Sequence, residues 1–141
     1  RKAASETVRM GEKHGDSYKY YSGDKPSEYQ LWQNNQKNGK WEQYFENGQI
    51  RLSGSFLTDT LHGSYTCYNP DGSLSIEGRY SMGSMDGTWK YYTDNGEFDL
   101  TVEYINGQML PNPEMDKRIE EFSRKVKDSI GNLDETDLPE F

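Results

Sequence analysis

A ten-residue pattern recurs in this chain at a fixed interval of 24 residues, and it limits the possible folds more than any other feature. Gly39-Lys-Trp-Glu-Gln-Tyr-Phe-Glu-Asn-Gly48 is followed by Gly63-Ser-Tyr-Thr-Cys-Tyr-Asn-Pro-Asp-Gly72, and then by Gly87-Thr-Trp-Lys-Tyr-Tyr-Thr-Asp-Asn-Gly96. One step earlier stands Gly15, with Tyr20 where the later copies carry Tyr44, Tyr68 and Tyr92. A period of this size marks an array of supersecondary units, each burying its apolar side only against its neighbours. Repeats therefore start near Gly15, Gly39, Gly63 and Gly87.

Each copy contains a two-residue turn signal: Asn47-Gly48, Asp71-Gly72 and Asn95-Gly96. These dipeptides suit a type I′ hairpin, in which both central residues take positive φ. A turn at Asn47-Gly48 predicts Phe45 opposite Ile50, Gln43 opposite Leu52 and Trp41 opposite Gly54. The next copy sets Tyr65 opposite Gly78, and the last sets Trp89 opposite Val102. A ring lying over a cross-strand glycine fills the space its missing side chain leaves. A second turn separates the copies at Asn34-Asn35, Thr58-Asp59, Met82-Gly83 and Asn106-Gly107, with Met10-Gly11 as an earlier counterpart. It pairs Phe56 with Leu61, Tyr80 with Met85 and Tyr104 with Met109. Together the turns predict a mainly β protein: over 1–110, an elongated antiparallel meander of repeated β-hairpins forming a single-layer twisted sheet. A first strand near 6–10 precedes hairpins near 17–33, 40–57, 64–81 and 88–105.

Side chains two apart on a strand share a face. One face thus collects Trp41, Phe45, Ile50, Leu52, Phe56, Tyr65, Leu74, Ile76, Tyr80, Trp89, Phe98, Leu100 and Tyr104. The structural core of the repeats is read as Trp41, Gly54, Phe56, Tyr65, Gly78, Tyr80, Trp89 and Tyr104. The other face is polar, with Arg51 and Arg79 among its residues, and carries one aromatic column of Tyr20, Tyr44, Tyr68 and Tyr92. Equivalent tyrosines are expected about 10 Å apart along the sheet. Such a column either presents rings for recognition of protein or sugar, or packs on cross-strand neighbours and stiffens the sheet.

The pattern G-x-[WY]-x-x-Y-x-x-x-G, followed by an alternating strand ending in Phe or Tyr, resembles the MORN-variant repeat common in bacterial proteins. His14-Gly15 and His62-Gly63 are similar to the His-Gly pair of MORN repeats generally. The resemblance spans 6–110 and is strongest over 39–107. The first copy departs from it: Gly23 falls one position early, Pro26 and Glu28 replace apolar residues, and Trp32 replaces Phe or Tyr. A regular hairpin over 15–38 is thereby left open. The resemblance implies a protein-binding scaffold. Some bacterial members of the family are labelled antitoxins and some eukaryotic members are linked to membranes, but neither role has a residue signature here.

Beyond the sheet, Pro111-Asn112-Pro113 ends the repeats. Asn112 fits an N-cap, Pro113 the first helical position and Gly131 the residue past the helix. Met115, Ile119, Phe122, Val126 and Ile130 form one apolar stripe, so 111–131 is expected to be an amphipathic helix capping the sheet, with a partner-binding or dimerising helix as the sharper alternative. The segment 132–141 reads as an acidic tail.

Composition bears on function. Only 31% of the chain is hydrophobic and 11 of its residues are tyrosine, so the buried layer must be thin and aromatic. A net charge of −8 argues against nucleic acid and against anionic lipid surfaces. No apolar run is long enough to span a membrane. The single cysteine, Cys67, makes no internal disulfide. The first residue is Arg1 rather than Met, so removal of an upstream segment such as an export leader is expected, favouring a periplasmic or cell-surface setting over a cytoplasmic one.

Catalytic chemistry finds little support. His14 and His62 occupy one repeat position, where other copies carry Asn38 and Asp86, and lie two repeats apart, about 19 Å, too far to share a metal. Cys67 has no recurrent histidine as base, and no glycine loop of the phosphate-binding kind is present. The expectation is a non-catalytic scaffold without cofactor or metal, a monomer or weak dimer. It would bind a protein partner, with a basic one favoured by the acidic surface, through Tyr20, Tyr44, Tyr68, Tyr92, Arg51 and Arg79. The alternative is a cell-envelope module holding a glycan or peptidoglycan along the tyrosines; an antitoxin or immunity role is a special case of the first.

Overall fold

A computed structural model describes residues 4–9 and 12–130, with side chains over 13–130. The chain divides into two compact units, the second starting at Pro111. The first is one antiparallel sheet. It begins with β1 (Ala4–Arg9), β2 (Glu12–Tyr20), β3 (Pro26–Gln33), β4 (Gln36–Tyr44) and β5 (Ile50–Leu57). It continues with β6 (Thr60–Leu61), β7 (Gly63–Tyr68), β8 (Leu74–Ser81), β9 (Ser84–Tyr92), β10 (Phe98–Ile105) and β11 (Gln108–Met109). The strands lie side by side in chain order, with β6 and β7 both on β5, so the meander is an uninterrupted sequence of hairpins. The region over 15–38 does form a hairpin: β2 and β3 pair from Gly15–Trp32 to Tyr20–Pro26.

Two turn chemistries build it. Between repeats, Asn34-Asn35, Thr58-Asp59, Met82-Gly83 and Asn106-Gly107 all take positive φ at both positions, as a type I′ turn demands. The second residue of each turn then donates its N–H to the preceding repeat. Asn35 reaches the Lys13 carbonyl, Asp59 that of Lys37, Gly83 that of Leu61 and Gly107 that of Met85, all at 2.7–2.9 Å. The turn after Met10 lies outside the described residues.

Within each repeat the turn differs from the type I′ expectation. Only Gly48, Gly72 and Gly96 take positive φ; Asn47, Asp71 and Asn95 do not. Gly48 N–H bonds the Phe45 carbonyl at 2.9 Å and Phe45 N–H bonds the Gln49 carbonyl at 2.8 Å, a type I turn closed by a glycine bulge. The side chain of Asn47 or Asp71 accepts from the backbone two residues on at 2.9 Å, which holds that residue out of the left-handed region. The bulge shifts the pairing by one residue beside the loop. Tyr44 faces Ile50, Tyr68 faces Leu74 and Tyr92 faces Phe98, in place of the expected Phe45–Ile50 pair. Phe98 accordingly lies beside Tyr92, centroids 6.1 Å apart, and is 61% exposed rather than part of the apolar row.

Further from the loops the register is as expected: Trp41–Gly54, Gln43–Leu52, Tyr65–Gly78 and Trp89–Val102. The rings also reach across the boundary between repeats. Gly54 lies between Trp41 and Tyr65, where an added Cβ would meet Trp41 Cε3 at 3.2 Å and Tyr65 Cδ2 at 3.5 Å. Gly78 lies under the Trp89 indole, and a Cβ there would be 2.1 Å from Trp89 Cδ2. Trp89 and Val102 are the most deeply buried side chains, 2% and 1% exposed. Around Trp89 stand Tyr80, Tyr65 and Tyr104 with centroids at 5.2, 5.6 and 6.1 Å, the first and last edge-on. Trp41 meets Phe56 edge-on at 5.3 Å. This row of rings is the core of a sheet that has no second layer of strands.

The second unit holds α1 (Pro113–Ile130). Asn112 caps it, its Oδ1 accepting the Met115 N–H and its carbonyl the Asp116 N–H, both at 3.0 Å. Glu114 and Asp116 in the first turn and Lys127 in the last match the helix dipole. Of its apolar stripe, Ile119 is 57% exposed and Phe122 68%. Gly131 and the segment 132–141 lie outside the described residues.

Adding one methyl tests the ring-on-glycine packing. Gly78→Ala should destabilise the sheet by about 3 kcal/mol and Gly54→Ala by only about 1 kcal/mol, since the Trp89 ring must leave its seat in the first case and a small adjustment suffices in the second. Urea unfolding of both variants measures this; equal losses would contradict the packing.

Candidate functional site

Tyr20, Tyr44, Tyr68 and Tyr92 each end the first strand of their hairpin, namely β2, β4, β7 and β9. The strand order places two strand spacings between successive members. They form a row beside the loops, all half-buried. Two are tied to carboxylates on their own face: Tyr44 Oη donates to Glu42 Oε1 at 3.0 Å, and Tyr92 Oη donates to Glu77 Oε1 at 2.5 Å. With the hydroxyls held in this way, the rings keep a fixed orientation. Tyr20 stacks on Tyr18 at 6.2 Å.

The loops beside this row are linked from repeat to repeat. Tyr21 Oη donates to the Tyr44 carbonyl at 2.5 Å, Asn47 Nδ2 to the Pro70 carbonyl at 3.1 Å and Asn69 Nδ2 to the Thr93 carbonyl at 3.3 Å. Arg51 is exposed, but it does not stand with the tyrosine hydroxyls as expected. The bulge beside the loop turns it toward the ring-bearing side, where it lines a cleft of about 230 Å³ with Lys19, Glu28, Gln43 and Tyr44 and its charge acts on Tyr65 and Cys67. Arg79 pairs with Asp86 at 2.9 Å. The two lie in a shallow, mainly polar depression with Glu77, Thr88 and Lys90, about 430 Å³ in volume. Tyr92 adjoins it through Glu77. Of the six sequence-derived residues the structure thus brings Tyr92 near Arg79 through Glu77, turns Arg51 away from the Tyr44 hydroxyl, and leaves Tyr20 and Tyr68 in the row without a neighbouring arginine of the set.

Sequence reasoning missed a further cluster on the same face. Tyr18 pairs across the strands with Tyr29, their rings 5.1 Å apart, and Tyr29 pairs with Glu42. Tyr29 Oη donates to Asp16 Oδ1 at 2.7 Å. Glu42 is only 7% exposed and receives Lys40 Nζ at 3.2 Å as well as the Tyr44 hydroxyl. Tyr18 shares the parity of Tyr20, and that was the available signal; the pairing with Tyr29 required a regular first hairpin.

Burial, and then the bond to Asp16, pushes the Tyr29 phenol up to about 12. Burial followed by the Glu42 bond pushes Tyr44 up further. At Tyr92 the bond to Glu77 is the main cause of an upward shift. Burial likewise pushes the Cys67 thiol up, so the half-buried sulfur stays protonated at neutral pH. His62 serves the fold: its Nδ1 accepts the Met82 N–H at 3.0 Å, and Asn38 Oδ1 takes the Thr58 N–H at 3.4 Å from the equivalent place. Among the described residues, no group of three or more His, Cys, Asp or Glu could hold a metal ion. No described helix is long and apolar enough to cross a membrane.

This repeated antiparallel sheet, with its ordered polar face, is of the kind typical of non-catalytic protein-interaction modules. The family model for the MORN repeat variant matches residues 37–57 and 61–81, so two repeat units of that type lie within 37–81. No curated protein matches the chain.

The raised phenols fix a pH dependence. An unfolded tyrosine ionises near its ordinary value of 10.0 while folded Tyr29 holds its proton to about 12. Its contribution to stability is therefore full below pH 10.0 and is lost as pH rises through about 12. Urea unfolding across that interval should show falling stability, with Tyr29→Phe giving a shallower slope; an unchanged slope would refute the assignment.

Proposed function

We propose that the chain is a four-repeat, MORN-type scaffold of the kind common in bacteria, and that it binds another protein through the tyrosine-bearing polar face. The observation that carries this reading is the alignment of Tyr44 and Tyr92 beside the loop row, each ring fixed through a carboxylate on its own face. Rigid tyrosines give large contact area with little side-chain entropy left to lose. The ring packing that joins the repeats lies in the Trp41, Tyr65 and Trp89 row on the opposite side, which leaves the partly exposed tyrosine edges to a partner. Arg79 on β8, paired with Asp86, lies between the strands of Tyr68 and Tyr92. A net charge of −8 steers a basic partner toward the sheet. An antitoxin or immunity role would be one form of such binding.

The test is affinity capture with wild type and with a folded Tyr44→Ser, Tyr68→Ser, Tyr92→Ser variant, followed by binding measurements on the purified partner. The expected result is a protein whose affinity falls at least about tenfold in the variant, as loss of an interface aromatic produces. Retention of a glycan and no protein would replace this reading by an envelope module. Equal binding of the partner by both forms would remove the tyrosine row from the interface.

A further inference from the structure

Superposing the repeats by position isolates one place where the core row is interrupted. The ring contributed by Trp41, Tyr65 and Trp89 in the later copies is Ser17 in the first, 24 residues before Trp41. The glycine or valine under that ring, Gly54, Gly78 or Val102, is Gln30. The aliphatic residue Leu52, Ile76 or Leu100 is Glu28, and Leu61 or Met85 corresponds to Lys13 and Lys37. Removing a ring from a packed row leaves space. At this place the structure has a cleft of about 300 Å³, lined by Lys13, Ser17, Lys19, Glu28, Gln30, Trp32 and Lys37.

Its polar groups are incompletely used. Gln30 is 5% exposed and spends its Nε2 on the Leu31 carbonyl at 2.7 Å, while its Oε1 is buried with no hydrogen-bond partner. Trp32 Nε1 is also buried without one. The other two tryptophans differ: Trp41 Nε1 donates to Glu28 Oε2 and Trp89 Nε1 to the Arg79 carbonyl, both at 3.2 Å. A buried donor and a buried acceptor left unmade are each costly, and here both border the same cleft. Lys13 Nζ lies 4.5 Å from the Trp32 ring centroid and Lys37 Nζ 5.9 Å. Lys37 Nζ is also 5.2 Å from the Phe56 ring, and Lys19 lines the cleft while paired with Glu28, so the charge offered to a ligand comes from Lys13 and Lys37, in a chain whose net charge is −8.

We propose that this cleft is a binding site for a small organic monoanion, a carboxylate with a neighbouring O–H or N–H. Both atoms are covered by protein in the structure, so the Trp32 and Gln30 side chains turn on binding: the carboxylate then accepts from Trp32 Nε1 and is attracted by Lys13 and Lys37, and the neighbouring donor satisfies Gln30 Oε1. Glu28 selects for single charge. It receives Trp41 Nε1, Gln43 Nε2 at 3.1 Å and Lys19 Nζ at 3.4 Å; burial opposes its ionisation, but these partners outweigh it and hold the carboxyl below its ordinary range. An ionised carboxylate on the wall repels a dianion. The cleft also lacks the guanidinium fork and the helix N-terminus that serve phosphate. Lys19 and Glu28 also line the cleft beside Tyr44, but Ser17, Gln30, Trp32 and Lys37 do not, so the site stands or falls without the tyrosine row.

The test follows the indole N–H signal of Trp32 by NMR, assigned with Trp32→Phe, during titration with glucuronate and with N-acetylalaninate. These two probes separate hydroxy acids from acylated amino acids. The controls are their methyl esters, inorganic phosphate and chloride at matched ionic strength. At least one monoanion should give a saturable shift confined to Trp32, with Trp32→Phe and Lys37→Met each weakening calorimetric binding about tenfold. Ser17→Tyr restores the ring of the other repeats, where Trp89 already lies opposite a valine, so it should fold and lose binding altogether. Shifts no larger than with chloride, esters binding as well as acids, tighter binding of phosphate, or full binding by folded Ser17→Tyr would each overturn the proposal.

Discussion

The sheet depends on an aromatic ring seated on a glycine of a neighbouring strand. A single layer of strands has no opposing layer against which to bury apolar surface, and the chain is only 31% hydrophobic. Burial must therefore come from side chains lying along the sheet. That geometry needs a flat ring and a strand position with nothing in its way. Tyr65 over Gly54 and Trp89 over Gly78 meet both needs, and each joins one repeat to the next. Trp89 shows the limit of the device: it is 2% exposed, more enclosed than any other ring. Stability in such an array resides in the joints between repeats as much as in the repeats themselves.

The backbone repeats the same joint on both sides of the ring row. Beside the intra-repeat loops, side-chain amides reach the carbonyls of the next loop; at the other end, each type I′ turn donates to the strand before it. The His–Gly positions belong to this second set, since His62 and Asn38 both accept a turn N–H. A histidine that attracts attention as a catalytic candidate is here an acceptor with a fixed structural partner. Its replacement by Asn in another copy follows from that role, because both side chains offer an acceptor at similar reach.

Much of this was readable from the residues. The 24-residue period, the inter-repeat turns and the pairs Trp41–Gly54, Tyr65–Gly78 and Trp89–Val102 all follow from local patterns and strand alternation. Pairing beside the intra-repeat loops did not. Asn-Gly serves a type I′ turn and a type I turn with a bulge equally well, and the choice shifts every pair next to the loop by one residue. Phe98 was misplaced for that reason. The cluster of Tyr18, Tyr29 and Glu42 brings together residues from two hairpins, and the first hairpin carries Pro26 and an early Gly23 that obscure its register. The cleft around Trp32 was visible in sequence only as a departure from pattern at Glu28 and Trp32. The missing ring at Ser17 follows from the 24-residue period as well; the cleft it leaves and the buried, unpartnered atoms of Gln30 and Trp32 are seen only in the structure.

The consecutive strand order has a mechanical consequence. Among the described residues the strands are bonded in chain order, the short β6 sharing β5 with β7, and no connection crosses over. A pull applied at one end of such a meander loads one hairpin at a time and opens its bonds in succession, as a zipper does. A pull between two distant hairpin loops instead loads the ring-on-glycine joints together, in parallel with the backbone bonds. The same molecule is compliant along its chain and stiff across its sheet, so the points at which partners grip it decide whether it yields or holds.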